Sequence, residues 1–118
     1  MDKNMAEEPD AIPQNAFFVM EAGRTFPLLE PIINIGRMLD NHLVLDDLRV
    51  SRHHAQLRAA QGHFVLVDRD STAGIFVNGR RVTETILYPH DTISLGGVIL
   101  TFQQDEPLPR LDLADTIQ

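Results

Sequence analysis

Three short segments of the chain combine arginine, hydroxyl and glycine residues in a way that suits the binding of an oxyanion. They are GRMLDN (36–41), DLRVSRHHA (47–55) and DRDSTAG (68–74). Guanidinium groups donate parallel charge-assisted hydrogen bonds to a phosphate, and hydroxyl and backbone N–H groups satisfy its remaining oxygens. Because loop arginines are usually just solvated, these segments predict a phosphate site only if the fold brings them together.

The segments lie between short apolar runs whose period is typical of β-strands. Apolar and polar residues alternate over 55–60, and HFVLVD (63–68) follows. Runs such as IFV and RRV, or TISL and VILTF, are separated by two-residue turn signals. These signals are Gln61-Gly62, Asn78-Gly79 and Gly96-Gly97. Together with AFFVM, PLL and PIINI, the pattern predicts about ten or eleven strands in an all-β sandwich.

The two ends of the chain differ in composition from the body between them. Residues 1–14 and 104–118 are acidic, contain prolines and lack apolar periodicity. We therefore predict a disordered acidic tail at 1–14, one domain at 15–103 and an acidic C-terminal tail at 104–118.

Charge and hydropathy exclude several classes of function. The net charge is −7, and one basic residue stands against four acidic residues in each of the segments 1–15 and 104–118. The body is therefore nearly neutral, which argues against general nucleic-acid binding. The sequence also lacks an apolar run of membrane-spanning length and the pattern of a signal peptide. We predict a cytoplasmic protein that binds neither nucleic acid nor a membrane.

The sequence offers little for catalysis or metal binding. It contains no cysteine, and its histidines have no ligand spacing, since His53 and His54 are adjacent and point in opposite directions on extended backbone. Asp68 and Asp70 flank a turn, where solvated carboxylates are common. Ser51 lies outside any nucleophile motif. We therefore predict no metal, no cofactor, no catalytic residue and no enzymatic activity.

The arginine-containing segments also resemble, in order and in spacing, the motifs of forkhead-associated (FHA) domains. The matching motifs are IGR (35–37), Asn41, LDD (45–47), VSRHHA (50–55), STAG (71–74), VNG (77–79) and DTISLG (91–96). A single Gly-Arg pair would carry no weight, whereas the ordered set is specific. The resemblance implies an eleven-stranded antiparallel β-sandwich of two sheets, whose loops at one end bind phosphothreonine peptides.

The resemblance assigns roles to individual residues of these loops. It implies that a phosphopeptide is bound by Arg37, Arg49, Ser51, Arg52, Thr72 and Asn78. Arg37, Ser51 and Arg52 would contact the phosphate directly, and Thr72 would support them. Asn78 would brace a loop or meet the peptide backbone.

Selectivity and support of the site follow from the same resemblance. Arg49 would favour an acidic residue three positions after the phosphothreonine. The residues expected to hold the site in shape are Gly36, His54 and Gly79. Ala73 departs from the family, which usually has asparagine there to hydrogen-bond the peptide backbone. We therefore expect weaker binding, by about 0.5–1.5 kcal/mol, and less selectivity for threonine.

The implied partners are phosphothreonine-containing proteins, namely substrates of a Ser/Thr kinase or the kinase itself. The alternative is a phosphate-independent scaffold or dimerisation module on the same fold, which Ala73 favours. The tails contain one hydroxyl residue, Thr116. Because the C-terminal tail is long enough to reach across the domain, we predict Thr116 as a candidate phosphosite that docks on its own domain or on a neighbouring copy.

Overall fold

A computed structural model describes residues 12–105, which are built almost entirely of short strands. The strands are β1 (Phe17–Val19), β2 (Thr25–Pro27), β3 (Ile32–Gly36), β4 (Leu43–Val44), β5 (Ala55–Ala60), β6 (His63–Asp68), β7 (Ile75–Val77), β8 (Arg80–Val82), β9 (Glu84–Leu87), β10 (Thr92–Leu95) and β11 (Val98–Gln103). One 3-10 turn, Glu21–Gly23, joins β1 to β2. Within this part of the chain, no helix has the length and apolar character needed to cross a membrane.

The strands form two sheets, which confirms the predicted eleven-stranded sandwich. One sheet has the order β2-β1-β11-β10-β7-β8 and the other has the order β4-β3-β5-β6-β9. The pairs are antiparallel except for β3 and β4, which are parallel. Residues 37–42 form a loop that brings the chain back to the middle of β3, where the N–H of His42 donates to the carbonyl of Asn34 at 2.9 Å. The short strand β4 therefore starts beside β3 and runs in the same direction.

The predicted hairpins are confirmed. Gln61-Gly62 joins β5 to β6, Asn78-Gly79 joins β7 to β8, and Gly96-Gly97 joins β10 to β11. Asn78 has φ 52° and Gly79 has φ 85°. Two successive positive φ values are what a type I′ hairpin turn requires, and Asn-Gly adopts them at low cost. The run PLL is not a strand of its own, since Pro27 ends β2.

The core lies between the two sheets and consists of alternate side chains from each strand. On β6, Phe64 and Leu66 are fully buried while their neighbours are partly exposed. The Phe64 and Phe102 rings meet edge-to-face with centroids 6.3 Å apart, and Phe18 meets Phe102 in the same way at 6.1 Å. Such aromatic pairs contribute about 0.5–1.5 kcal/mol beyond the area they bury. This core gives the loops a rigid base.

The packed body extends a little beyond the boundaries expected from composition. Pro13 is buried and Ile12 packs against the core, although both fall in the segment predicted to be disordered. At the other end, the N–H of Asp105 donates to the carbonyl of Gln14 at 3.0 Å. Residues 12–14 and 104–105 therefore belong to the folded body. The remainder of both predicted tails, including Thr116, lies outside the described residues.

Candidate functional site

The strand pairing brings the three arginine-containing segments to one end of the sandwich. Ile35 of β3 pairs with Ala55 of β5, which pairs in turn with Asp68 of β6. Loops 37–42, 45–54 and 69–74 therefore leave from the same end. Leu95 pairs with Ile75, so the 96–97 turn lies there too. We call these four segments the loop end.

Arg37 is held in place by the loop that carries Ser51. Its N–H donates to the carbonyl of Ser51 at 3.0 Å, and its Nε donates to the carbonyl of Val50 at 3.0 Å. The side chain is only partly exposed. Within residues 12–105, no hydrogen bond or ion pair engages its two terminal amino groups. The guanidinium is thus fixed at one edge while its other donors remain available to a ligand.

Gly36 and Asn41 allow these two loops to lie close together. A Cβ atom on Gly36 would lie 2.2 Å from the carbonyl oxygen of Arg52, so only glycine fits this contact. Asn41 is buried, and its Nδ2 donates to the carbonyls of Met38 at 2.8 Å and Arg52 at 2.9 Å. Asn41 matched a motif in the sequence, but the residue types alone gave no hint of this bridging role.

Ser51 connects the second loop to the third. Its Oγ accepts a hydrogen bond from the backbone N–H of Thr72 at 3.1 Å. Because a hydroxyl also carries one hydrogen, Ser51 can still donate to a ligand. The third loop is closed by its own bond, in which the N–H of Gly74 donates to Ser71 Oγ at 3.0 Å. Thr72 itself is exposed beside Ser51.

His54 lies beneath these loops and holds two of them together. Its side chain is fully buried. Nδ1 accepts the N–H of Ser51 at 3.0 Å, so in the neutral ring the hydrogen is on Nε2 and is donated to the carbonyl of Gly74 at 2.8 Å. His53 points the other way and contacts Asp40 at the surface, at 3.0 Å. The opposite orientations expected for the two histidines are therefore observed, although both residues precede β5 and do not lie on a strand as predicted.

Arg49 is engaged with a neighbouring carboxylate. Its Nε lies 3.0 Å from Asp47 Oδ1 and its Nη2 lies 2.8 Å from Asp47 Oδ2, and its N–H also donates to Asp47 Oδ1 at 2.8 Å. These contacts lower the pKa of Asp47 from 3.8 to about 2 and raise the pKa of Arg49. Both residues line a groove whose other walls come from β1, the 3-10 turn and β11. Arg49 is therefore already neutralised.

The Asp47–Arg49 pair predicts a specific acid titration. Because the pKa of the folded carboxyl is depressed, the pair's contribution to stability is complete above about pH 4 and is lost as the pH falls towards 2. We expect the Asp47 carboxyl carbon to titrate with a midpoint of about 2 by NMR. In Arg49→Gln the midpoint should move up towards 3.8, the ordinary value. An unchanged midpoint in the variant would show that Arg49 does not hold this carboxylate.

Asn78 is the expected binding residue that the structure does not bring to the loop end. It follows β7, whose other end adjoins the 69–74 loop. Its Nδ2 donates to Asp91 Oδ1 at 2.9 Å, and its Oδ1 accepts the N–H of Thr92 at 2.9 Å. Asn78 therefore braces the connection from β9 to β10 at the opposite end, and Gly79 completes the β7–β8 turn there. A direct contact of Asn78 with a peptide at the loop end does not fit this placement.

The remaining residues form one donor-rich surface. The guanidinium groups of Arg37 and Arg52 and the hydroxyls of Ser51 and Thr72 lie on adjoining loops, and the exposed side chain of Arg52 has no ion-pair partner among residues 12–105. Two guanidinium groups on loops that also carry hydroxyl and backbone donors, one of them anchored through Arg37 Nε, match the charge and the acceptor atoms of a phosphate dianion. Chemically, this arrangement suits the binding of a phosphate group.

The amino-acid sequence matches a described family and several curated proteins. The FHA domain model matches residues 33–96. The glycogen accumulation regulator GarA of Mycolicibacterium smegmatis is 38% identical over 81 residues, which is 69% of this chain and 51% of that protein. The oxoglutarate dehydrogenase inhibitor of Corynebacterium efficiens is 37% identical, over 69% of this chain and 57% of that protein. This chain thus spans only about half of their length.

Solved structures agree with these matches. Mycobacterium tuberculosis EmbR in complex with a low-affinity phosphopeptide has a TM-score of 0.75 and 32% identity, covering 80% of this chain and 25% of that one. The FhaA FHA domain complexed with the intracellular domain of Rv3910 has a TM-score of 0.71 and 33% identity, covering 75% of this chain and 99% of that one. The sequence motifs, the two-sheet sandwich and these similarities give one conclusion: the chain belongs to the FHA domain family.

Proposed function

We propose that this chain is a phosphorylation-dependent binding module of Ser/Thr-kinase signalling. It binds phosphothreonine segments of partner proteins and does not catalyse a reaction. It acts in the cytoplasm. Arg37, Ser51 and Arg52 contact the phosphate, and Thr72 supports them. The partners are kinase substrates or a kinase itself. Gly36 and His54 position the loops but do not touch the ligand.

One observation carries this proposal. Arg37 is anchored through Nε to the carbonyl of Val50, and the adjoining Ser51 Oγ accepts a backbone hydrogen bond, so both side chains are fixed while each retains a donor. Fixing donors in advance reduces the entropy lost when a ligand binds. A loop arginine that served only for solubility would need no such anchor. The phosphopeptide complex of EmbR among the similar structures is in keeping with this use.

A degenerate peptide-library screen tests the proposal. The described domain with its tails would be immobilised and offered two libraries that differ only in a central phosphothreonine or threonine. We expect peptides to be retained from the phosphorylated library alone. Equal recovery from both libraries would instead support the phosphate-independent scaffold that Ala73 suggested. A third library with phosphoserine shows whether Ala73 has relaxed the selectivity for threonine.

A further inference from the structure

A further arginine, Arg81, lies against the third loop of the site. Arg81 is on β8, an edge strand, and it pairs with Phe76 of β7. Paired residues in antiparallel strands point to the same face, and a long side chain also reaches the diagonal neighbour two residues away. On β7 that diagonal neighbour lies just before the strand, at Gly74. The side chain of Arg81 therefore runs along the outer face of the sheet towards the loop end.

The contact with Gly74 is face-on. A Cβ atom on Gly74 would lie 2.9 Å from Cζ, from Nε and from Nη2 of Arg81 alike. Three equal distances place the guanidinium plane flat over the Gly74 backbone. Gly74 has φ +82°, so the loop requires glycine for its conformation as well as for this contact. Covering this face does not use the N–H donors, which lie at the edge of the guanidinium.

Arg81 also differs from Arg49 in its charge environment. Arg81 is exposed and takes part in no ion pair or side-chain hydrogen bond among residues 12–105, whereas Arg49 is already bound to Asp47 through two side-chain contacts. Binding a peptide carboxylate through the remaining donors of Arg49 would bring that carboxylate close to the like charge of Asp47. The same carboxylate could bind Arg81 at no such cost.

A short chain of contacts leads from Arg81 to Ser51 of the phosphate site: Arg81 packs on Gly74, and two hydrogen bonds of His54 link Gly74 to Ser51. Gly74, which Arg81 covers, accepts a hydrogen bond from His54, and His54 accepts one from the N–H of Ser51. The residue between Thr72 and Gly74 is Ala73, whose methyl group offers no donor to a ligand. The guanidinium of Arg81, which packs against Gly74, is therefore a donor group at this side of the loop.

We propose that Arg81 determines peptide specificity by binding a glutamate or aspartate side chain close to the phosphothreonine. This inference rests on the proposed function, because it describes the same binding site. It moves the selection of an acidic residue from Arg49, where the resemblance had placed it, to the other side of the loop end.

The test uses a panel of phosphothreonine peptides in an alanine background. Each peptide carries one glutamate, placed in turn at every position within about three residues of the phosphothreonine. Affinities are measured by fluorescence anisotropy for the wild-type chain and for Arg81→Gln, Arg80→Gln and Arg49→Gln. Arg80 is the matched control, because it is the preceding residue on β8 and points to the opposite face.

We expect the wild-type chain to bind one glutamate peptide about fivefold more tightly than the all-alanine parent, the upper range for an exposed ion pair. Arg81→Gln should remove that preference while still binding the parent, and Arg80→Gln and Arg49→Gln should keep it. The preference should also shrink at about 0.5 M salt, where exposed charges are screened. Thermal melting of each variant checks that the fold is intact.

Two results would overturn this inference while leaving the proposed function standing. One is a wild-type chain that binds the phosphorylated parent but shows no preference for glutamate. The other is a preference that persists in Arg81→Gln or disappears in Arg49→Gln. If the wild-type chain binds none of the phosphopeptides, then the proposed function fails and the role of Arg81 fails with it.

Discussion

Replacing Arg37 with alanine is expected to weaken phosphothreonine-peptide binding by about 10- to 100-fold. The substitution removes a guanidinium whose hydrogen bonds to the phosphate are charge-assisted, and such bonds contribute about 1.5–3 kcal/mol each. The Nε bond to the carbonyl of Val50 is lost as well, so the second loop is held less firmly. Isothermal titration calorimetry with a peptide from the library screen measures the change.

Arg58→Ala is the matched control for this experiment. It removes the same charge and the same number of atoms, but Arg58 is exposed on β5, and among the described residues its side chain hydrogen-bonds only to Gln56, at 2.8 Å. We expect Arg58→Ala to change the affinity by less than about twofold, because distant exposed charges are largely screened. Equal losses for the two variants would mean that Arg37 acts through general charge and not at a defined site.

Replacing His54 with alanine is expected to lower the free energy of unfolding by roughly 2–6 kcal/mol, the largest stability effect that the loop end predicts. The variant leaves the N–H of Ser51 and the buried carbonyl of Gly74 without partners. Each unsatisfied group costs about 1–3 kcal/mol. The second and third loops also lose the link that holds them in register. Urea denaturation followed by circular dichroism gives the change in stability.

His53→Ala provides the control at the adjacent position. His53 is exposed and contacts Asp40 at the surface, so we expect a change within about 0.5 kcal/mol. A loss of stability in His54→Ala no greater than that in His53→Ala would contradict the bridging role of His54. Where His54→Ala still folds, its phosphopeptide affinity should also fall, since Ser51 is no longer held by the ring.

Much of the fold could be predicted because its signals are local. The turn residues Asn78-Gly79 and Gly96-Gly97 specify hairpins by their own backbone preferences. Alternation on β6 fixes which side chains face the core, since Phe64 and Leu66 are separated by one residue. The direction of β4 was not predictable in this way. It depends on hydrogen bonds between the 37–42 loop and β3, which a local signal such as a two-residue turn cannot specify.

The parts of the site that sequence reasoning missed depend on contacts between distant segments. The resemblance leaves open whether Asn78 braces a loop or meets the peptide backbone, and only its place at the far end of β7, bonded to Asp91 and Thr92, favours bracing. The role of Arg49 follows from the resemblance alone, and only the geometry of Asp47 shows that the two side chains are paired. Arg81 was visible solely as a residue of a return strand.

The central claim of a phosphate-dependent binding site is tested most directly by a calorimetric titration with two peptides. One is a phosphothreonine peptide from the library screen, and the other is its unphosphorylated twin. We predict saturable binding of the first at least about 100-fold tighter than that of the second, because two charge-assisted contacts of about 1.5 kcal/mol or more depend on the phosphate. Equal affinity for both peptides would contradict the claim.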